Sequence, residues 1–187
     1  MTFHAFLGIL SAMIEGLAIV KILQGVLWMI HGRGQIKVYW IHLVLVAGII
    51  IGANLHFWMI VRQRNIVGDV DFYGAADMLW LPIVHYIIAG LLFPPSAASH
   101  STDDHPVDLQ DHYYKNHQWI FGAIVVSYLT NAGMLRDMIT LNSDSGTIFM
   151  LVMAFVLGTL AVTPNKRVHT AIVALMPVVG ILMILLN

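Results

Sequence analysis

Between Lys37 and Arg62 the chain reads VYWIHLVLVAGIIIGANLHFWMIV, Val38 to Val61, 24 residues without one Asp, Glu, Lys or Arg. A helix needs about 20 mostly apolar residues to cross the hydrocarbon core of a bilayer, and this stretch supplies them. The pattern then repeats along the chain. Twenty residues free of Asp, Glu, Lys and Arg separate Lys115 from Arg136, and 21 separate Asp144 from Lys166. The last 20, Val168 to Asn187, carry no acidic or basic residue except His169. Asp77 opens another apolar run that Pro94 and Pro95 close, and the first run, Phe3 to Ile30, is interrupted by Glu15 and Lys21. The expectation is an all-α polytopic membrane bundle of six helices, roughly 4–31, 38–62, 74–94, 117–138, 145–163 and 168–186, forming one integral membrane domain over 1–187.

Composition agrees. Of 187 residues 59% are hydrophobic and only 10% charged, with a mean hydropathy of +0.81, whereas a soluble domain carries about a quarter charged residues. The net charge of −1 offers no basic excess to attract nucleic acid. Cysteine is absent, which removes disulfides, thiol catalysis and Cys-ligated metals together. The first segment lacks the basic start and small-residue cleavage pattern of a secretory signal, so it reads as a permanent helix.

Six spans put both termini on one side. Loops one, three and five carry Arg33, Lys37, Lys115, Lys166 and Arg167, and the opposite side carries Arg62, Arg64 and Arg136. The positive-inside rule then places the odd loops in the cytoplasm and the termini outside. The longest loop, 96–116, is polar and solvated in character, so the bundle must contain the function. Small residues recur at spacing four, Gly8–Ala12–Gly16 on helix one and Gly48–Gly52 on helix two. Such stripes let helices approach closely in lipid, either within the bundle or between copies of the chain.

Ionisable groups at membrane depth cost at least about 2.5–3.5 kcal/mol each, so they face a partner or a cavity. On helix one His4, Gly8, Ser11 and Glu15 fall within about 60° of one another. Lys21, Gln24, Trp28 and His31 make a second stripe about 120° away. Glu15, Lys21 and Gln24, joined by His85 on helix three and Asn131 on helix four, would give a polar interior suited to a small ligand, a proton or an ion.

Two further constellations compete for a role. His42 and His56 on helix two lie about 21 Å apart in rise and only about 40° apart in rotation. One helix offers axial ligands to two stacked b-type haems in this way. His117 would oppose His42, with His31 and His169 at the same level, and His4 would oppose His56. Hydrogen bonding of these histidines near helix ends is the simpler alternative. The segment HSTDDHPVDLQDHYYKNH, His100 to His117, holds four histidines and four aspartates, with Asp108 and His112 at a spacing that could serve a borderline metal. No phosphate loop, GxSxG or HExxH occurs, which points away from catalysis. The reading is a small non-enzymatic membrane protein that binds or conducts a small solute or ion, or an accessory subunit of a larger complex. Its partners would be the bilayer, a second copy of the chain or other membrane subunits.

The stretches DLQDHYYKNHQWIFG (Asp108 to Gly122), YWIHLVLVAG (Tyr39 to Gly48) and LLFP (Leu91 to Pro94) resemble a group of small bacterial multi-span inner-membrane proteins. Those proteins share a basic first loop, an aromatic-rich second helix and a DLxxHYYxxHxW-type entry to helix four. The resemblance implies a multi-span bundle in the bacterial inner membrane and transfers no catalytic residue. His56 and His85 lie outside the shared pattern.

Overall fold

The computed structural model describes residues 3–32, 34–63, 72–95, 106–130 and 145–185. Among these residues there are six helices: α1 (Phe3–His31), α2 (Trp40–Gln63), α3 (Phe72–Leu92), α4 (Leu109–Thr130), α5 (Ser145–Val162) and α6 (Lys166–Leu185). Successive helices alternate in direction. Leu7, Ile60 and Met78 cluster at one end, while His42 on α2 meets Phe93 just past α3 at the other. The main apolar core lies between, built on Ile22, Ile41, Ile88, Leu92, Ile120 and Phe121. α1 packs chiefly on α3 and α4 chiefly on α5, and α2 touches α1, α3, α4 and α6.

One boundary departs clearly from the sequence expectation. The fourth helix begins at Leu109, not at 117, so the second half of the expected loop 96–116 is helical. Asp108 explains the early start. Its Oδ1 accepts from the Gln110 and Asp111 amides at 2.8 and 3.4 Å, an N-cap arrangement. One turn inside, Asp111 and Lys115 form an i,i+4 pair at 2.8 Å. Gaps between charges delimit the apolar part of a helix, and this helix runs two turns beyond it. The expected continuation of helix four to 138 lies outside the described residues.

A second element was not legible in hydropathy. β1 (Ile36–Lys37) and β2 (Val107–Asp108) pair in parallel, Ile36 with Val107 and Lys37 with Asp108. Lys37 Nζ donates to Asp108 Oδ2 at 2.9 Å. This short clamp ties the first loop to the entry of α4. The Lys37 ammonium beside Asp108 holds that carboxyl below the usual carboxylate range, helped by the two capping amides. Gly34, at φ 95°, makes the turn before β1 in a backbone region that costs glycine least.

The exposed surface is apolar. On α1 Phe6, Ile9, Met13, Leu17, Val20, Leu23, Leu27 and Ile30 stand exposed at steps of three and four, while Ser11 and Glu15 are buried. On α2 Leu43, Ile51, Leu55 and Trp58 face outward, and His42 and His56 face inward. A water-soluble helix shows the reverse polarity, and unbroken apolar stripes of this length are not left to water. Among the described residues two helices are long and apolar enough to cross a membrane, over Ala5–His31 and Trp40–Trp58. The apolar parts of α3 and α5, Met78–Leu92 and Leu151–Val162, are shorter.

Candidate functional site: a buried glutamate shared by two histidines

Glu15 sits half-way along α1 and is only 3% exposed. Its place on the helix follows from the 3.6-residue period: Ser11, one turn earlier, shares its face and is also sealed from the surface. The opposite face carries the exposed apolar stripe. An isolated carboxylate in such a setting carries a desolvation cost of several kcal/mol, and two neighbouring helices relieve it. His56 Nδ1 on α2 lies 3.0 Å from Glu15 Oε1, and His85 Nδ1 on α3 lies 2.9 Å from Oε1 and 3.1 Å from Oε2. These are good N–H···O lengths. The two imidazole rings stand 6.4 Å apart, nearly perpendicular. Gly52 helps α2 and α3 close on the site, since a Cβ there would already touch His85 Nε2 at 3.6 Å.

The charge arithmetic of this triad is restrictive. An ionised carboxylate only accepts, so each histidine must present Nδ1–H to it. With both rings neutral the cluster carries −1 in an apolar interior, and with one extra proton it is neutral, the cheaper state. The triad thus joins one carboxylate and two imidazoles from three helices at separations of about 3 Å.

The residues that the sequence grouped as a polar interior separate in space. Glu15 and His85 come together and are joined by His56, which the sequence had placed in the haem alternative. Lys21 and Gln24 lie elsewhere. Lys21 Nζ is 4.7 Å above the ring of Tyr86, and Gln24 is exposed. Asn131 and the side chain of His4 lie outside the described residues. Gly8 packs against Ile60, with 3.6 Å from its Cβ direction, whereas Gly16 and Gly48 face open space. Of the glycines in these stripes, Gly8 and Gly52 therefore serve internal packing.

The histidines proposed as haem ligands have other neighbours. His42 is fully buried, meets the Phe93 ring edge-on at 5.2 Å, and among the described residues neither ring nitrogen has a hydrogen-bond partner. His117 Nδ1 donates to the Tyr114 carbonyl at 2.7 Å, and its ring stacks edge-on with His169 at 5.3 Å. Asp108 and His112 do not converge on a metal position either. Asp108 caps α4 and binds Lys37, while His112 Nε2 donates to the Leu91 carbonyl at 3.0 Å. Among the described residues no group of three His, Asp or Glu side chains is arranged to hold a metal ion.

A second polar network, unforeseen in sequence, lies at the opposite end of α2 from His56. His169 Nε2 donates to the Thr163 carbonyl at 2.6 Å, which leaves Nδ1 to accept from the Tyr113 hydroxyl at 2.5 Å. Tyr39 and Tyr114 share a hydroxyl–hydroxyl bond at 3.1 Å beside it. The Tyr39, Tyr113 and Tyr114 hydroxyls and both His169 ring nitrogens have partners, so the cluster reads as a fastening of α4, α6 and the residue that leads into α2. No family model, no curated protein and no solved structure matches this chain.

Proposed function

We propose that the chain is a six-span, non-enzymatic protein of the bacterial inner membrane, termini on the periplasmic face, that takes up and passes protons through the Glu15–His56–His85 triad. The observation that supports this most is a carboxylate buried mid-way along an apolar helix, with imidazoles from two other helices on its oxygens. Intramembrane ionisable groups that pair in a bundle interior are the usual components of proton relays. Ser11, one turn from Glu15 on the same face, adds a sealed hydroxyl with no hydrogen-bond partner among the described residues, a second polar stop along α1. The exposed apolar stripes of α1 and α2 match a lipid surround, and alternating helix directions match six crossings.

The test is flux. Reconstituted in liposomes with an internal pH dye, the wild-type chain dissipates an imposed pH gradient faster than empty vesicles. Glu15→Gln, which keeps the shape and removes the exchangeable charge, reduces that rate at least tenfold. Unchanged flux in a folded Glu15→Gln variant removes the triad from any pathway. Absence of flux in the wild type together with a fixed co-purifying membrane protein favours the accessory-subunit role instead.

A further inference from the structure

Between α1 and the end of α3 lies a half-open cavity of about 260 Å³, lined among others by Lys21, Gln24, Gly90, Phe93, Pro94 and Pro95. At about 30 Å³ per water it has room for a compact polar group and not for a folded segment. Lys21 supplies the charge. Among the described residues its ammonium makes no hydrogen bond or ion pair, and it stands 4.7 Å from the centre of the Tyr86 ring. A lysine has three donors to satisfy, and an unmatched cation in apolar surroundings is costly. Gly90 is what admits the side chain: a Cβ there would come within 3.0 Å of Nζ and 3.4 Å of Cε. Because Gly90 is two residues from the end of α3 at Leu92, the ammonium sits where that helix stops and Pro94–Pro95 follow, the depth to which lysines reach from inside a membrane. One turn back, Leu17 on α1 and Ile83 and Ile87 on α3 present exposed apolar side chains on the same flank.

We propose that this cavity is a binding site for the headgroup of an anionic phospholipid of the inner leaflet. Its phosphate accepts from Lys21 Nζ and the Gln24 amide, and an acyl chain lies along Leu17, Ile83 and Ile87. The charge complementarity selects an anion, and the adjoining apolar flank selects a lipid over a free anion. The assignment rests on the membrane placement proposed above and is independent of the proton role of Glu15.

Native mass spectrometry of the full chain in mild detergent, titrated with phosphatidylglycerol, phosphatidylcholine or inorganic phosphate, tests it. The wild type binds phosphatidylglycerol at least tenfold more tightly than phosphatidylcholine, and inorganic phosphate at the same concentration does not displace it. Lys21→Met abolishes the preference, Lys21→Arg retains it, and Glu15→Gln leaves it unchanged. Gly90→Val, which fills the cavity and pushes the Lys21 ammonium aside while keeping its charge, also abolishes it and stands in if Lys21→Met fails to fold. Equal binding of the two lipids, a preference that survives in Lys21→Met, or displacement by inorganic phosphate overturns the proposal. Retention of the chain in membranes through a carbonate wash reports membrane placement separately, so a failed site and a failed membrane reading are told apart.

Discussion

Replacing Glu15 by leucine removes the acceptor of two buried imidazole N–H groups, at 3.0 Å from His56 and 2.9 Å from His85. Each donor left unsatisfied costs about 1–3 kcal/mol, so the single change destabilises by roughly 2–6 kcal/mol. Glu15→Gln keeps one accepting oxygen within reach of both rings and loses only the charge assistance. The difference between charged and neutral hydrogen bonds is about 1 kcal/mol each, or about 2 kcal/mol in total. The triple replacement Glu15→Leu, His56→Leu, His85→Phe behaves differently again. It removes every polar group of the triad at nearly constant volume, and buried ionic clusters exchanged for apolar ones are often neutral or stabilising. The expected order of stability is therefore triple variant at or above wild type, then Glu15→Gln, then Glu15→Leu. Reversible unfolding in mixed SDS micelles, followed by tryptophan fluorescence and far-UV circular dichroism, measures it. Glu15→Leu as stable as wild type, or a triple variant no better than Glu15→Leu, refutes the reasoning, because the histidines would not then depend on the carboxylate.

Gly25→Ala drives a methyl into the Phe93 ring, so Phe93 must leave its position, at a cost of about 1–3 kcal/mol in the same unfolding assay, and Phe93→Ala in the same chain suppresses most of the added loss. Asp108→Ala removes the cap of α4 and costs about 1 kcal/mol, whereas Asp108→Asn, which still caps, costs less; the midpoints of the two variants, side by side, check it. Since the Asp108 carboxyl lies below its ordinary value of 3.8 in the folded chain, its contribution is present above that value and lost as pH falls through the lower one. Between pH 5 and pH 8 the stability difference between wild type and Asp108→Asn is accordingly flat, and it shrinks below about pH 4. Tyr113→Phe strands His169 Nδ1 in a fully buried position and costs about 1–3 kcal/mol, read as an earlier melt by circular dichroism.

Hydropathy carried the number of helices among the described residues, and most of their bounds to within a few residues, because long apolar runs between charges leave a signal in every residue. Helix starts set by a cap carry no such signal. The chain enters α4 at Asp108 through side-chain-to-amide bonds, and the Asp, His and Lys residues beyond it look like loop to any method that counts charges. The triad was half legible. Glu15 and His85 stand out as costly groups at mid-helix, but His56 reads in sequence beside His42 on its own helix, where the 14-residue spacing suggests ligands to two stacked haems. Its actual partner is on α1, and contacts between helices leave no periodicity in one sequence. The Tyr113–His169 bond, 56 residues apart in the chain, was invisible for the same reason.

Glu15 and Lys21 show how one helix treats opposite charges differently. They are six residues apart, about 120° round the helix, so they cannot share a surface, and the sequence analysis already put them on separate stripes. A carboxylate has a short stem and accepts hydrogen bonds, so its least costly position is between donors inside the bundle, and α2 and α3 supply two. A lysine has a long apolar stem and a strongly hydrated head, so it lies along a groove and reaches for the interface. Gly90 and the early end of α3 open that route. The inner charge is therefore held by the imidazoles of α2 and α3, and the outer one opens onto the cavity beside Gly90. A substitution at either position should leave the function of the other intact, which is why Glu15→Gln serves as the control for lipid binding and Lys21→Arg for proton flux.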